Sequence, residues 1–172
     1  MMKMIKRLVF SDPGKYIIED IKKQKKYNML FKKYKNNLIL KYIFFILIQS
    51  NHKKIFKNYS CDITPGSKIG NVIFRHPLGI VIGGGTELRD GVIIHQNVTF
   101  GAVKFDTIDR RGLPCKQIVG ENTIVCAGAK VLGNIVIGEN CIIGANSIVT
   151  KDVPDNTIVV GYNKFVESRK EL

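Results

Sequence analysis

The sequence predicts a mainly β protein built around a parallel β-helix of hexapeptide repeats, preceded by a short α-helical segment. Three observations lead to this prediction. An apolar residue recurs every six positions, a small or β-branched residue follows four positions later, and Gly, Asn and Asp recur between them. Six hexads run without interruption from Val119 to Pro154, four begin at Ile82 and two begin at Ile63. The leaders of the uninterrupted six are Val119, Val125, Val131, Ile137, Ile143 and Val149.

A period of six matches neither the 3.6-residue turn of an α-helix nor the simple alternation of a β-strand. It fits a triangular coil in which each hexad supplies one short strand and one corner. Three hexads then complete a coil, and leaders about 18 residues apart stack inside the prism. The corners need compact side chains and positive φ angles, which explains the small residues and the recurrent Gly and Asn.

The repeat register is interrupted twice. Ile69 and Ile82 are 13 residues apart, one more than two hexads, and the extra residue falls around 74–77. A repeat that shifts by one residue usually bulges, and a bulge can aim a side chain outward. A second gap, of 19 residues, contains positions 102–118, which lack the hexad pattern. We expect this segment to leave the prism as an excursion loop, the kind of element that often carries function.

Charge divides the chain into two parts. Its 172 residues carry a net charge of +13, with 15 Lys and Arg against 3 Asp and Glu in residues 1–60 and 12 against 11 in residues 61–172. We therefore predict a basic helical segment at 1–60, a repeat domain at 61–161 and a C-terminal tail at 162–172. The four cysteines show no paired spacing, which indicates reduced thiols in a cytoplasmic protein.

The N-terminal segment is expected to form helices. Residues 15–37 show an irregular apolar face among lysines, and residues 38–48 are the most apolar run. That run is 11 residues long and includes Lys41, so it is too short to span a bilayer. Two interpretations stay open: packing on the first helix and the first coil, or contact with an anionic membrane face. Residues 52–60 are interpreted as a linker with a solvated His52, and no motif predicts a nucleic-acid partner.

The three histidines are the candidates for proton transfer near neutral pH. His76 lies at the first interruption, and His95 follows a hexad leader. Asp62 precedes His76 by 14 residues, close to one coil less a corner. Its carboxylate is therefore expected to lie near His76 and to hold the imidazole in one tautomer. Two histidines in the repeats are too few for a zinc site of three His ligands, so no metal is expected.

Five motifs occur in a specific order and spacing across about residues 61–161. They are Asp62-Ile63-Thr64-Pro65, His76-Pro77-Leu78-Gly79-Ile80-Val81-Ile82-Gly83, Asn97-Val98-Thr99-Phe100-Gly101, Ala127-Gly128-Ala129-Lys130-Val131-Leu132-Gly133-Asn134 and Ile143-Gly144-Ala145-Asn146-Ser147. Together they resemble the serine acetyltransferase branch of the hexapeptide-repeat acyltransferases. The resemblance implies a left-handed prism, which is an exception to the usual right-handed crossover. It also implies a homotrimer, acetyl-CoA as the donor, and active sites between neighbouring subunits.

The resemblance also assigns roles to individual residues. His76 matches the catalytic base of the branch, and Asp62 matches the carboxylate that pairs with this base. The positions that match the binding wall for acetyl-CoA are Gly101, Ala102, Cys126, Ala127, Gly144 and Ala145. Lys130 and Lys151 are candidate partners of the CoA phosphates.

At the acceptor end, the chain departs from the serine pattern. Arg75 stands where the branch has an Asp that helps to bind the amino group of serine. The loop at 108–114 lacks the His that grips the serine carboxylate. The candidates for binding the acceptor are Arg75, His95, Arg110 and Arg111, with His95 in a supporting structural role. The arginines suit an acidic sugar, and surface ion pairs remain the open alternative for them.

The predicted function is acetyl-CoA-dependent O-acetylation of a sugar in a surface polysaccharide, such as capsule, O-antigen or exopolysaccharide. In this hypothesis His76 takes the proton of the acceptor hydroxyl, and backbone N–H groups at a glycine-rich corner stabilise the oxyanion. Two alternatives stay open: a serine O-acetyltransferase of cysteine biosynthesis and a non-catalytic trimeric scaffold. The protein is expected in the cytoplasm, with the inner face of the membrane as a further alternative.

Overall fold

The structure is a computed structural model that describes residues 13–102, 116–162 and 164–167. Two helices, α1 (Pro13–Lys33) and α2 (Leu38–Tyr59), precede a series of short strands. The strands are β1 Asp62–Ile63, β2 Lys68–Ile69, β3 Ile73–Phe74, β4 Val81–Ile82, β5 Glu87–Leu88, β6 Ile93–Ile94, β7 Thr99–Gly101, β8 Gln117–Val119, β9 Ile124–Val125, β10 Lys130–Leu132, β11 Ile135–Ile137, β12 Ile142–Ile143, β13 Ile148–Val149, β14 Thr157–Val160 and β15 Lys164–Glu167.

The strands form three parallel sheets, which are the faces of a prism. Face A contains β1, β4, β7, β10 and β13, face B contains β2, β5, β8 and β11, and face C contains β3, β6, β9, β12 and β14. From β1 to β13, consecutive strands belong to successive faces, so each of the first four turns uses one strand of every face. In the last turn, a single bridge from Val153 to Ile137 takes the place of the strand in face B. The predicted fold class, a left-handed parallel β-helix with a helical N-terminal segment, is confirmed.

The hexad leaders fill the interior of the prism. Val125 pairs with Ile143 in face C, and Val131 pairs with Val149 in face A. Phe100 is fully buried and stacks between two further leaders of face A. The compact corner residues are buried as well, which agrees with the predicted coil geometry. They are Thr123, Ala129, Ile135, Cys141, Ser147 and Val153.

The structure places the extra residue of the first interruption differently from the prediction. Phe74 is buried in β3 and acts as an additional leader, which the sequence pattern did not show. Five residues separate Ile69 from Phe74, and eight separate Phe74 from Ile82. One corner is therefore short, and the next corner is long. The long corner contains His76, whose backbone has φ 52° in the left-handed region.

The predicted excursion loop at 102–118 ends earlier than expected, because Gln117 and Ile118 belong to β8. Strands β7 and β8 are consecutive in faces A and B, so the intervening segment takes the place of a single corner. Residues 103–115 lie outside the described residues, and with them Arg110 and Arg111.

Buried Gln117 fixes the base of this loop. Its side-chain oxygen accepts a hydrogen bond of 3.0 Å from Thr86 Oγ1. Its side-chain nitrogen donates to the carbonyl oxygens of Gly101 at 3.1 Å and Gly133 at 2.5 Å. The two ends of the segment are thus held to the same coil corner.

The interpretation of residues 52–60 as a linker is wrong, because α2 continues to Tyr59. The Asn37 side chain caps its start by accepting from the backbone N–H of Leu40 at 3.1 Å. Ser60 ends the helix in the left-handed conformation at φ 50°. His52 is therefore a helical residue near the first strand, rather than a solvated linker residue.

The two helices form an antiparallel hairpin, and the predicted packing on the first helix and first coil is observed. Asp20 is buried and accepts from Lys54 Nζ at 2.7 Å, and its backbone carbonyl accepts from Asn51 at 2.9 Å. Burial and the neighbouring Asp20 raise the pKa of Tyr59. Helix α2 also packs on β1. Neither described helix is long and apolar enough to cross a bilayer.

Helix α1 lies on the first coil and donates hydrogen bonds to it. The donors are Gln24, Lys25 and Asn28, which reach the carbonyl oxygens of Ile63, Ile69 and Pro65 respectively. Burial lowers the pKa of Lys25, an effect that Asp90 opposes and Lys22 reinforces. At the other end of the prism, residues 164–167 of the predicted tail form β15, which pairs antiparallel with β14.

Replacement of Phe100 with Ala should destabilise the prism strongly. Loss of a fully buried phenyl ring leaves a cavity and should lower the free energy of unfolding by about 3–5 kcal/mol. Urea unfolding followed by circular dichroism measures this loss. Phe56→Ala is the matched control, because that ring on α2 is 60% exposed. Equal destabilisation by both substitutions would contradict the stacked core.

Candidate active site

Seven of the predicted site residues lie along one edge of the prism, where face C turns into face A. We call this the His76 edge. Its residues, by successive coils, are Arg75 and His76, then His95, then Cys126 and Ala127, then Gly144 and Ala145. Backbone hydrogen bonds of 2.7 to 3.0 Å join these corners from coil to coil. With adjacent strands about 4.8 Å apart, the first and fourth corners are about 14 Å apart.

His76 is held in a conformation that few side chains adopt. Five of the described non-glycine residues with positive φ are Asn, which tolerates this region, and the other two are Ser60 and His76. The corner also needs Gly79 at φ 64°, where a Cβ would lie 2.3 Å from Asn97 Oδ1. The imidazole is exposed and makes no hydrogen bond to another described residue. A strained, exposed histidine of this kind suits contact with a substrate.

The structure brings Asp62 to His52 rather than to His76. Asp62 lies in β1 on face A, where its ladder partner is Val81. Its Oδ1 is 2.8 Å from His52 Nε2, and both side chains are partly exposed. No hydrogen bond or ion pair joins Asp62 to His76 among the described residues, and the residue aligned with Asp62 is Val81, which follows His76 in the chain. The catalytic role of Asp62 stays a prediction.

His52 was missed because the sequence pattern suggested that the helix ended before it. The apolar run stops at Ile48, but apolar residues continue at helical spacing with Ile55 and Tyr59. That spacing was the available signal for a longer helix. A helix that reaches Tyr59 faces its last turns toward the first strand, and so places His52 beside Asp62.

The remaining predicted residues lie on face A and on the next edge, where face A turns into face B. We call this second edge the Gly101 edge. It contains Gly101 and Ala102 in the third coil and Lys151 two coils further on. Lys130 lies on face A, and its Nζ donates to Asn97 O at 2.9 Å and Thr99 Oγ1 at 3.1 Å. The predicted residues therefore border face A on both sides.

Gly101 has no packing reason to be glycine among the described residues. A Cβ built there meets no described atom within 4 Å, and its φ is not positive. At Gly144, by contrast, a Cβ would lie 2.9 Å from Val159 O. A close-approaching ligand would explain Gly101, because a glycine lets a ligand contact the backbone. This position fits the predicted acetyl-CoA wall.

A cleft of ≈ 340 Å³ opens along the Gly101 edge. Gly66, Gly84 and Gly85 form part of its lining, and charged side chains stand at its margin. Burial would raise the pKa of Glu87, but ion pairs with Lys68 at 3.4 Å and Lys116 at 3.5 Å lower it overall. The cleft thus combines accessible backbone with two lysines, both of which are paired with Glu87.

The repeat domain has relatives among known transferases. A family model described as bacterial transferase hexapeptide, six repeats, matches residues 118–151. A serine acetyltransferase of Staphylococcus aureus strain Mu50 is 46% identical over 101 residues, which cover 58% of this chain and 45% of that protein. The β-helix therefore resembles the hexapeptide-repeat transferases. A putative serine acetyltransferase of Schizosaccharomyces pombe is 40% identical over 104 residues, which cover 60% of this chain and 37% of that protein.

Solved structures of serine acetyltransferases are also similar to this hexapeptide-repeat β-helix. A soybean serine acetyltransferase apoenzyme has a TM-score of 0.71 at 28% identity, and the match covers 86% of this chain and 56% of that one. A serine acetyltransferase in complex with CoA has a TM-score of 0.67 at 28% identity, and the match covers 89% and 56%. The predicted resemblance to the serine acetyltransferase branch is confirmed. The chain spans less than half the length of the two curated relatives described above.

The thiol of Cys126 should react slowly with alkylating reagents. Burial raises its pKa, as it does for Cys61 and Cys141. The thiolate is the form that reacts. At a fixed pH below the pKa, each unit by which the pKa rises lowers the fraction of thiolate about tenfold. Iodoacetamide labelling of the native protein between pH 7 and 10, resolved by peptide mass spectrometry, should show its midpoint above that of a free cysteine peptide. A midpoint at or below the peptide's value would contradict the partly buried environment of the Cys126 thiol.

Proposed function

We propose that the protein is an acetyl-CoA-dependent O-acetyltransferase in which His76 is the general base. The observation that carries the proposal is the 46% identity over 101 residues to a serine acetyltransferase. The exposed His76 at the long corner supports it, because a base must reach the hydroxyl that it deprotonates. A related solved protein binds CoA, which supports acetyl-CoA as the donor.

In the proposed reaction, the neutral imidazole of His76 takes the proton from the acceptor hydroxyl. The resulting oxygen attacks the carbonyl carbon of the acetyl thioester and forms a tetrahedral intermediate. Backbone N–H groups of the glycine-rich corners stabilise the oxyanion of this intermediate. The C–S bond then breaks, the ester forms, and the leaving CoA thiolate receives the proton held by His76.

L-Serine is the better-supported acceptor. The curated relatives are named serine acetyltransferases, and one solved relative is complexed with serine. They favour the cysteine-biosynthesis alternative over the predicted polysaccharide sugar. One observation favours the sugar as a second candidate: exposed Arg75 precedes His76, where the resemblance has an Asp for the serine amino group. A guanidinium there would repel an ammonium and suit a carboxylate or phosphate.

We also propose a homotrimer. In a single chain, face A lies between the His76 edge and the Gly101 edge. Ile73, Leu78 and Val81 are 38% to 56% exposed close to the His76 corner. A second copy would cover these apolar side chains and bring its own Gly101 edge to the His76 edge. Base and donor would then meet between subunits.

His76→Asn should abolish turnover without unfolding the protein. Asn accepts positive φ, so the long corner stays intact while the imidazole is lost. We expect kcat to fall about 10²–10⁴-fold, measured by CoA thiol release from acetyl-CoA, with an unchanged melting temperature. A variant that keeps the wild-type rate would remove His76 from the mechanism.

The same assay distinguishes the acceptors. L-Serine, sugar nucleotides and acidic oligosaccharides are compared with the wild-type protein and with Arg75→Asp. If serine is the acceptor, turnover with serine should be higher in Arg75→Asp than in the wild-type protein. If an acidic sugar is the acceptor, turnover with sugars should be lower in this variant than in the wild-type protein. Absence of release with every acceptor would contradict both and favour the non-catalytic scaffold.

Gly101→Ala should weaken acetyl-CoA binding selectively. The added methyl group meets no described atom but obstructs a ligand lying on the backbone. We expect the KM for acetyl-CoA to rise about tenfold, equivalent to roughly 1.4 kcal/mol, with an unchanged melting temperature. Gly144→Ala is the contrasting variant and should lower the melting temperature, because its Cβ would crowd Val159 O. An unchanged KM in Gly101→Ala would place the donor elsewhere.

A further inference from the structure

Helix α2 presents a broad apolar face to solvent. Six large apolar side chains near its start are 44% to 80% exposed. We call them the apolar face of α2: Leu38, Ile39, Tyr42, Ile43, Phe45 and Ile46. At 3.6 residues per turn, they fall within about 160° of the helix circumference. Contiguous exposed apolar side chains of this size mark a surface that binds a partner.

The charge around this face has one sign. Residues 21–60 contain eleven lysines and no Asp or Glu. Lys32, Lys33 and Lys35 are exposed at the tip of the hairpin, directly before α2 begins. The carboxylate of Asp20 is buried at the opposite end of the hairpin, where Lys54 contacts it. The surface around the apolar face is therefore strongly cationic.

Ring contacts hold the tip of the hairpin in place. Tyr34 stacks on Phe44 with ring centroids 5.8 Å apart. Lys33 Nζ lies 5.5 Å from the Tyr34 ring, and Lys41 Nζ lies 5.7 Å from the Phe31 ring. These contacts fix the hairpin tip. At about 100° per residue, Lys41 lies roughly 40° beyond the edge of the apolar face, whereas Phe44 lies on the opposite side of α2. Lys41 is therefore the ammonium group that these contacts hold beside the apolar face.

We propose that the apolar face of α2, with the lysines of the hairpin tip, docks on an anionic lipid bilayer. The aliphatic and aromatic side chains enter the interface between headgroups and acyl chains, and the lysines contact lipid phosphates. The helix lies in the plane of the surface, because neither described helix is long and apolar enough to cross it. This inference does not depend on the proposed catalytic function.

Charge decides between a bilayer and other occupants. A second copy on this face would bring two lysine-rich hairpins together, and like charges oppose that association. A nucleic acid would satisfy the lysines but would leave the exposed Leu and Ile side chains without an apolar partner. An anionic bilayer complements both the charge and the apolar surface.

A single tryptophan can report this docking, because the chain has none. Tyr42→Trp places the reporter on the apolar face of α2, and Tyr162→Trp is the matched control on the β-helix. The two tyrosines are 66% and 67% exposed, so both reporters begin in water. The full-length variants are mixed with vesicles of phosphatidylcholine, with and without phosphatidylglycerol, at low and high salt.

We expect a blue shift and quenching by brominated lipid for Tyr42→Trp alone, and only with phosphatidylglycerol. Sedimentation with these vesicles should give a partition coefficient about tenfold higher than with phosphatidylcholine alone, and high salt should reduce it. In the wild-type background, Ile43→Ser with Phe45→Ser should abolish this binding. Val136→Ser with Ile142→Ser, exposed apolar residues of the β-helix, should preserve it. Circular dichroism confirms that both double variants are folded.

Four results would overturn the proposal. The first is equal binding to vesicles with and without phosphatidylglycerol. The second is a blue shift of Tyr42→Trp that follows protein concentration without lipid, together with an increase in mass by light scattering, because this result assigns the face to a second copy. The third is retention of phosphatidylglycerol binding by Ile43→Ser with Phe45→Ser. The fourth is binding of duplex DNA that displaces the protein from vesicles, combined with no quenching of Tyr42→Trp by brominated lipid. This result would assign the lysines to nucleic acid.

Discussion

The stacking of buried leaders inside the prism is the constraint on which the rest of the structure depends. Each leader must stay on its own face, because a shift by one residue would turn a buried side chain outward. Extra residues are therefore accommodated only at corners. Examples are the corner at 75–79 and the corner between β7 and β8, where Gln117 holds the two ends together. The same rule explains why most of the predicted site residues lie on edges. The interior is filled by the packed leader side chains, whereas the residues at the corners can vary.

Corners expose backbone groups as well as side chains. At the His76 edge, this exposure is combined with a conformation that Asn adopts readily and His rarely does. At the Gly101 edge, glycine stands where neither φ nor packing against described atoms requires it. Both departures from local preference fall on residues that the proposed chemistry uses. Local preferences are commonly broken at such sites, because function rather than stability selects the residue.

The β-helix was predictable because its signal is repeated, so that six consecutive hexads fix the faces and the buried positions together. Phe74 escaped because a short corner moved it out of step with the period. His52 escaped because helix length depends on packing against α1, which no local pattern contains. Asp62 contacts His52 rather than the expected His76, and this contact depends on the same unpredicted length of α2.

The hydrogen bonds from α1 to the first coil have a consequence for assembly along the prism axis. A parallel β-helix ends in rows of unpaired backbone groups, which can template a further strand from another molecule. Gln24, Lys25 and Asn28 occupy three carbonyl oxygens of the first coil. At the far end, the antiparallel strand β15 covers the free side of β14. Part of the exposed edge is thereby covered at each end of the prism, which opposes the addition of strands from another molecule.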